Sequence, residues 1–433
     1  MSSETIFASA TGAGRAAVAV IRLSGPMVGA VLARLAGRVP EPRFAHYARL
    51  ADPRDGETID RGLVLYFPQP NSPTGEDYAE LQIHGGRAVT HAVLRVLGDF
   101  PGLREAQPGE FARRSLANGK MDLSQVEGLA DLIEAETEFQ RRQAIRALGG
   151  ALRKRVESWR ERLIRALALV EAELDFSDEG DVFEPATALR PLLEPLGEEM
   201  AAVLKTGDRT ERLRDGYVVL LLGAPNSGKS TLLNALAQRE VAIVSPVPGT
   251  TRDMIEVHLD LGGMPVTLVD TAGLREATDE IERIGVARTR ARIGEADLLV
   301  WLSEGGVESP REPIEDVEFI RVATKADLLN CTSDDLAISA RTGFGIERLL
   351  EEMADRAKRR LGDGSTALLT RERHRRLVQE AKDAIEACLD SGKPLEFVAD
   401  DLRIAGRALG RIVGAVDVED VLDAIFSQFC IGK

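Results

Sequence analysis

No stretch of the sequence approaches the roughly 18 consecutive apolar residues of a membrane-spanning helix, so a membrane anchor is not expected. The first residues, Met1 to Gly12, have neither a basic start nor an apolar block, so no secretory leader is expected either. Cysteine is scarce. Cys331, Cys388 and Cys430 are scattered, and their spacing suits neither a disulfide framework nor a zinc knuckle. A reducing cytoplasm is the compartment these absences point to. Internal repeats and low-complexity tracts are lacking. So is a basic excess: the net charge is −15, which argues against a protein that coats nucleic acid through a broad positive surface. The balance is uneven, however. Residues 1 to 118 hold 13 Arg and Lys against 12 Asp and Glu, leaving 42 against 58 for the remainder. A polyanion would therefore meet a local patch or a partner protein.

What is present is ordinary globular material, with 44% hydrophobic and 29% charged residues in 433. That length exceeds one core and predicts about three units. Residues 1 to 118 read as a small mixed α+β domain, with apolar runs at Ala16–Leu23, Leu63–Phe67 and Ala79–Ile83 and a helix at Arg87–Leu97. From Leu123 the texture becomes helical. Val156, Trp159, Leu163, Leu167, Val170 and Leu174 recur three or four apart, as on a helix-packing face. An apolar strand at Tyr217–Gly223 opens an alternation of strands and helices that lasts to about Leu361, after which helices return. The expected fold is thus multidomain α/β and α. A nucleotide-binding domain (213–362) is inserted into a helical domain with halves 119–212 and 363–433.

Chemistry concentrates in the inserted segment. Gly223-Ala-Pro-Asn226-Ser227-Gly228-Lys229-Ser230 places two glycines with four residues between them before Lys and Ser, between a strand and a helix expected to start near Thr231. Such glycines let backbone amides turn toward phosphate oxygens at a helix N-terminus. Lys229 would reach the β and γ phosphates and act as a catalytic group, while the Ser230 hydroxyl would ligate magnesium. Strand Val266–Val269 ends at Asp270-Thr271-Ala272-Gly273, a carboxylate for the magnesium shell followed by an amide for the γ phosphate. Upstream lies Ser245-Pro246-Val247-Pro248-Gly249-Thr250-Thr251. There Thr251 offers a hydroxyl to magnesium when triphosphate is present. After strand Phe319–Ala323 comes Thr324-Lys325-Ala326-Asp327, close to the Asn-Lys-x-Asp signature that reads guanine through the Asp. Thr324 departs from it, so a loop-bracing amide is lost. Ser339-Ala340-Arg341 fits the last nucleotide loop. Leu274 stands where a water-positioning Gln would be, and the loops offer no obvious arginine finger. Asn226 is either a cation ligand substituting for that finger or a loop-stabilising amide.

Beyond these motifs the chain resembles the MnmE (TrmE) family of tRNA modification GTPases. The resemblance rests on Ala10-Thr11 through Gly14-Arg15, Ile21-Arg22-Leu23-Ser24-Gly25 and Tyr78-Ala-Glu80-Leu-Gln82-Ile-His84-Gly-Gly86. It continues in Glu110-Phe-Ala-Arg113, Asn118-Gly-Lys120-Met-Asp122 and the terminal Phe429-Cys430-Ile-Gly432-Lys433. It implies a homodimer joined through an N-terminal domain that binds 5-formyltetrahydrofolate, with Arg22, Glu80, Lys120 and Lys433 as folate contacts. It implies a flavoprotein partner, MnmG, with which a carboxymethylaminomethyl group is added to the wobble uridine of certain tRNAs. It further implies potassium held by Asn226, Ser245, Val247 and Thr250, and an attacking water oriented by Glu282. Ile281, Ile284, Ala287 and Ala291 would form the opposite helix face. From the residues alone Glu282 would be a solvated carboxylate, and Arg22 and Glu80 strand-end charges. A ribosome-assembly GTPase, an ATPase and a structural helical protein with a degenerate P-loop are the competing readings. The last is disfavoured because Lys229, Ser230, Thr251, Asp270 and Asp327 are all present.

Overall fold

The computed structural model describes all residues except 1–3, 13, 177–184, 240, 244–255, 271–293, 295, 306–316, 329–335, 363–367, 391, 416–425, 427–431 and 433. The chain forms two compact units, Met1–Ala130 with Gly410–Lys433, and Asp131–Leu409.

The first unit is built on a six-stranded sheet. Its strands are β1 (Thr5–Ser9), β2 (Val18–Ser24), β3 (His46–Ala51), β4 (Thr58–Phe67), β5 (Tyr78–His84) and β6 (Leu103–Glu105), in the order β3-β4-β5-β2-β1-β6. Side chains alternate faces along a strand, and β2 alternates strictly: Ala19, Ile21 and Leu23 are buried, while Val18, Val20 and Arg22 point the other way. The buried set joins Leu81 and Ile83 of β5. This face is covered by helices α1 (Val28–Leu35) and α2 (Arg87–Gly98) through Val31, Leu32, Val93 and Leu97. Because Arg22 pairs in register with Glu80, the same alternation leaves both on the face away from this core. Helix α3 (Glu110–Ala117) lies beyond the sheet and contributes Phe111 to a cluster with Ile6, Ala8 and Tyr78.

The second unit combines helices and a second sheet. Helix α4 (Leu123–Glu134) leads into it, followed by α5 (Glu138–Leu148), α6 (Ala151–Phe176) and α7 (Pro185–Asp215). Of the apolar stripe expected on α6, Val156, Trp159, Leu163 and Val170 are buried. The Trp159 indole N–H donates to Glu199 of α7 (3.1 Å), which also accepts from Arg162 (2.7 Å).

The sheet strands are β7 (Tyr217–Leu222), β8 (Glu256–Leu261), β9 (Met264–Asp270), β10 (Leu298–Glu304), β11 (Glu318–Thr324) and β12 (Leu336–Ala337), ordered β12-β11-β10-β7-β9-β8. All neighbours are parallel except β8 and β9, which form an antiparallel hairpin. Strand β7 is central and apolar along its length, as a strand covered on both faces must be. Helix α8 (Lys229–Ala237) follows β7. It starts earlier than the expected Thr231, because Gly228 takes the cap position at φ +96° and lets Lys229 be helical. Helix α9 (Ile346–Leu361) packs Ile346, Leu349, Met353 and Ala357 against the sheet. Helices α10 (Glu372–Cys388) and α11 (Leu395–Ile412) complete the unit. Helix α5 grips the β8–β9 turn: its Thr137 capping box fixes the first turn, and the Phe139 N–H donates to Gly263 O (3.2 Å). The Phe139 ring packs on the core of the sheet. Among the described residues, no helix is long and apolar enough to cross a membrane.

Candidate functional site

In an open parallel sheet, ligands bind outside the carboxyl ends of the strands, where the winding reverses. Strands β7, β9 and β11 deliver sequence-marked residues to that edge: Gly223 after β7, Asp270 at the end of β9 and Thr324 at the end of β11, while β10 ends there at Glu304.

The turn after β7 requires its glycines. Gly223 adopts φ +145°, and a Cβ there would stand 2.2 Å from the Leu302 carbonyl oxygen, so only glycine lets the chain leave the sheet against β10. Asn226 also has positive φ, at 65°. The Lys229 ammonium is folded back on the loop, donating to Gly223 O (2.7 Å) and Ala224 O (3.0 Å). The Ser230 hydroxyl donates to Asp270 Oδ2 (2.9 Å), which joins the loop to the end of β9. Hydroxyl and carboxylate are thus adjacent oxygens of the kind a hard divalent cation takes.

The lost amide at position 324 does not leave the loops untied. The Thr324 hydroxyl, buried, lies 2.8 Å from Ser227 O and 3.2 Å from Ser303 O. Lys325, at φ +60°, pairs with Glu304 (2.7 Å). Ala326 N–H donates to Ile338 O (3.1 Å), and Leu328 N–H to Lys325 O (2.9 Å), so the segment carrying exposed Asp327 is a closed turn. Ser339 anchors the next loop: its hydroxyl accepts from Thr342 N–H (3.2 Å) and its carbonyl from Gly343 N–H (2.9 Å). Ala340 and Arg341 follow it there. The loop Ser245 to Thr251, the segment Thr271 to Gly273, and Glu282 lie outside the described residues.

In the first unit, Arg22 Nε donates to Glu80 Oε1 (3.3 Å), and the Tyr78 hydroxyl donates to the same oxygen (3.0 Å). The other arm of Arg22 donates to the Gly432 carbonyl (3.3 Å), so the chain's last residues reach this pair. Gly432 is buried at φ +102°, where a Cβ would lie 2.2 Å from Ser9 O. Lys433 lies outside the described residues. Lys120 runs beside Gly75, and no described hydrogen bond links it to Arg22 or Glu80. Beneath the pair is a network that sequence inspection missed. Arg114, 6% exposed, donates to Glu76 (2.8 Å), Glu110 (3.0 Å) and the Glu4 carbonyl (3.0 Å). Ser24 bonds both Thr74 (2.7 Å) and Glu76 (2.8 Å). Burial pushes the Glu110 carboxyl up, but hydrogen bonds from Arg104, the Gln107 amide and Arg114 outweigh it and hold it at about 2. The only hint of this network in the sequence was the position of Arg114 next to the Glu110–Arg113 motif.

Two family models match the chain. One describes the N-terminus of the GTP-binding protein TrmE and covers residues 5–120, and the other describes the MnmE helical domain and covers residues 123–430. The chain belongs to the MnmE family. Curated tRNA modification GTPases MnmE are similar along their whole length. The one from Methylobacterium sp. (strain 4-46) is 54% identical, covering 100% of both chains. That of Azorhizobium caulinodans is 53% identical over 100% of this chain and 99% of its own. That of Beijerinckia indica is 52% identical over 99% and 96%. Among solved structures, the G domain of the T. maritima FeoB iron transporter is 27% identical over 33% of this chain and 98% of its own. Its TM-score of 0.25 is too low to bear on the assignment.

Proposed function

We propose that this chain binds and hydrolyses GTP at the carboxyl edge of the second sheet, and that this activity serves modification of the tRNA wobble uridine. The observation that carries the GTPase part is the Ser230–Asp270 contact (2.9 Å), which joins the phosphate loop to the end of β9 beside Lys229. Lys229 and the amides around Ser227, Gly228 and Thr231 hold the phosphates, and Lys229 turns from Gly223 O and Ala224 O to the β and γ phosphates. Ser230 and Thr251 hold magnesium, Asp270 orders its shell, and Gly273 meets the γ phosphate. Magnesium neutralises charge on the phosphates when bound. Asn226, with Ser245, Val247 and Thr250, holds potassium in place of an arginine finger, and Glu282 orients the water that attacks the γ phosphorus. Asp327 accepts from the guanine N–H groups. Ser339, Ala340 and Arg341 close over the base. The reading demands that Glu282→Ala abolish GTP hydrolysis while sparing GTP binding, and that sodium in place of potassium slow turnover. Equal turnover in both salts removes the potassium assignment and leaves the GTPase one standing.

The first unit supplies the other half of the reading. Arg22, Glu80, Lys120 and Lys433 hold 5-formyltetrahydrofolate, the one-carbon source. Support comes from the partly exposed Arg22–Glu80 pair and from Gly432, whose carbonyl accepts from Arg22. The working unit is a cytoplasmic homodimer with the flavoprotein MnmG, and the functional segments are taken as 1–118, 119–212, 213–362 and 363–433. Calorimetry should register folate binding to the intact protein and its loss in Arg22→Ala and Glu80→Ala. Wobble-nucleoside analysis of tRNA from cells lacking the protein should show carboxymethylaminomethyl-uridine missing. Unaltered wobble nucleosides would remove the tRNA part and favour the ribosome-assembly alternative.

A further inference from the structure

We propose that the cavity where helix α5 and the end of α4 meet strand β8 is a binding site for a short aliphatic diamine. It is separate from both sites described above and does not rest on the GTP reading.

The cavity has a volume of about 210 Å³, far more than the roughly 10–15 Å³ that admits one water. Its buried wall comes from α5. Gln140, Gln143 and Ala144 recur three or four apart on one face, while Arg141 and Arg142 are exposed and pair with Glu138 (2.7 Å each). Gln143 is only 9% exposed, and its carboxamide makes no hydrogen bond among the described residues. A carboxamide carries two donors and an acceptor oxygen, and buried groups of this kind find partners. Gln140 does not serve, because its side-chain oxygen accepts from the Glu136 and Thr137 amides (both 3.0 Å). Strand β8 contributes His258, whose Nδ1 lies 3.2 Å from the Thr267 hydroxyl; donating there leaves Nε2 as an acceptor.

The mouth is acidic. Asp131 is neutralised by Arg371 (2.7 Å), but Glu134 and Glu136 are exposed and have no ion-pair partner among the described residues. A metal ion is not the match, since among the described residues no three ligating side chains converge. Acceptors divided between depth and mouth call instead for a cation whose donors are set apart. In a diamine, one ammonium donates to Gln143 Oε1 and His258 Nε2, and the other meets Glu134 and Glu136. The methylenes between them lie against Ala135 and Ala144, which offer only methyl groups to the lining. An ammonium has three donors and no acceptor, which suits such a lining. The N–H groups of Gln143 are left to water sharing the volume.

Isothermal titration of the full-length protein with 1,4-diaminobutane, at fixed ionic strength and without nucleotide, tests this. One diamine should bind per chain with Kd on the order of 1 mM or tighter. Butylamine, with one ammonium, should bind about tenfold more weakly, and uncharged 1,4-butanediol should give no saturable heat. Gln143→Leu, which keeps the volume and removes the amide, should raise Kd about tenfold. Glu134→Gln combined with Glu136→Gln changes only exposed positions, so it keeps the fold, and it should raise Kd by a similar factor. The rival is diffuse attraction of any dication to a chain of net charge −15. Under that rival both variants keep the wild-type Kd and an equal concentration of magnesium displaces the diamine. Either of those results, or the absence of saturable heat, overturns the proposal and leaves the GTP reading untouched.

Discussion

Replacing Gly223 by alanine tests the turn on which the nucleotide site depends. The residue sits at φ +145°, a region that L side chains rarely adopt, which costs about 1–3 kcal/mol. The added Cβ would also stand 2.2 Å from Leu302 O and 2.7 Å from Ser227 Oγ. The first of these is backbone in a central strand and cannot step aside without disturbing the β7–β10 pairing, which adds about 1–3 kcal/mol of overpacking. Together these reach on the order of 2–6 kcal/mol, a large share of a domain's stability. The loop would relieve the clash by pulling away from β10, and GTP affinity should fall at least about a hundredfold. Urea titration followed by tryptophan fluorescence is a direct assay, because Trp301 precedes Leu302 in β10 and the other tryptophan, Trp159, lies on α6. The transition of the second sheet should move to lower urea, and a fluorescent-GTP titration should show the affinity loss. An alanine variant with wild-type midpoint and wild-type affinity would mean that β7 does not leave the sheet along this path.

Asp327→Asn should weaken GTP binding by roughly 2–5 kcal/mol, because guanine N–H groups lose a charged acceptor in a desolvated contact. Xanthosine triphosphate should bind better to it, and unchanged GTP affinity in a direct titration would displace the base-reading role. Glu110 is held at about 2 against 4.5, so the stability it contributes is complete above about pH 4.5 and is lost as the pH falls toward 2. Urea midpoints of wild type and Glu110→Gln should therefore differ most above pH 4.5 and converge on acidification, by on the order of 2 kcal/mol after solvent screening. A constant gap across that range would refute the ionised network. Burial pushes the Cys388 thiol up to about 12, so it should resist alkylation at neutral pH in the native protein and react only after unfolding. Peptide mapping after iodoacetamide treatment decides this.

The nucleotide edge was legible in the sequence because its demands are local. A loop that curls around phosphate needs glycines at fixed spacing, and the carboxylate at the end of β9 needs only a strand before it, so contiguous motifs report both. The start of α8 was misjudged by two residues because a glycine cap at positive φ extends a helix beyond where propensity alone places it. At position 324 the sequence showed only that the usual amide is absent; that a hydroxyl contacts Ser227 O there (2.8 Å) needed the folded loops. The pairing of Arg22 with Glu80 could not be read from residue types, since it depends on the register of two strands 58 residues apart. Family resemblance marked both residues as folate contacts and said nothing of their pairing. Arg114 was missed for a related reason: apart from Glu110 on its own helix, its partners come from β2, the loop before β5 and the N-terminal segment, and only the folded sheet collects them.

The grip of α5 on the β8–β9 turn gives the nucleotide site a mechanical connection. Strand β8 begins at Glu256, five residues after Thr251 in the sequence, and β9 ends at Asp270. Between them lies a hydrogen-bonded ribbon whose far tip is held by the Phe139 amide and wedged by its ring. A paired hairpin is stiff along its length and bends only with loss of ladder bonds. Asp270 and the first turn of α5 are thus joined by one unbroken run of ladder hydrogen bonds and the Phe139–Gly263 bond. The phosphate end of the sheet and the helical layer are in this sense two ends of one strut, with Gly263 at the joint.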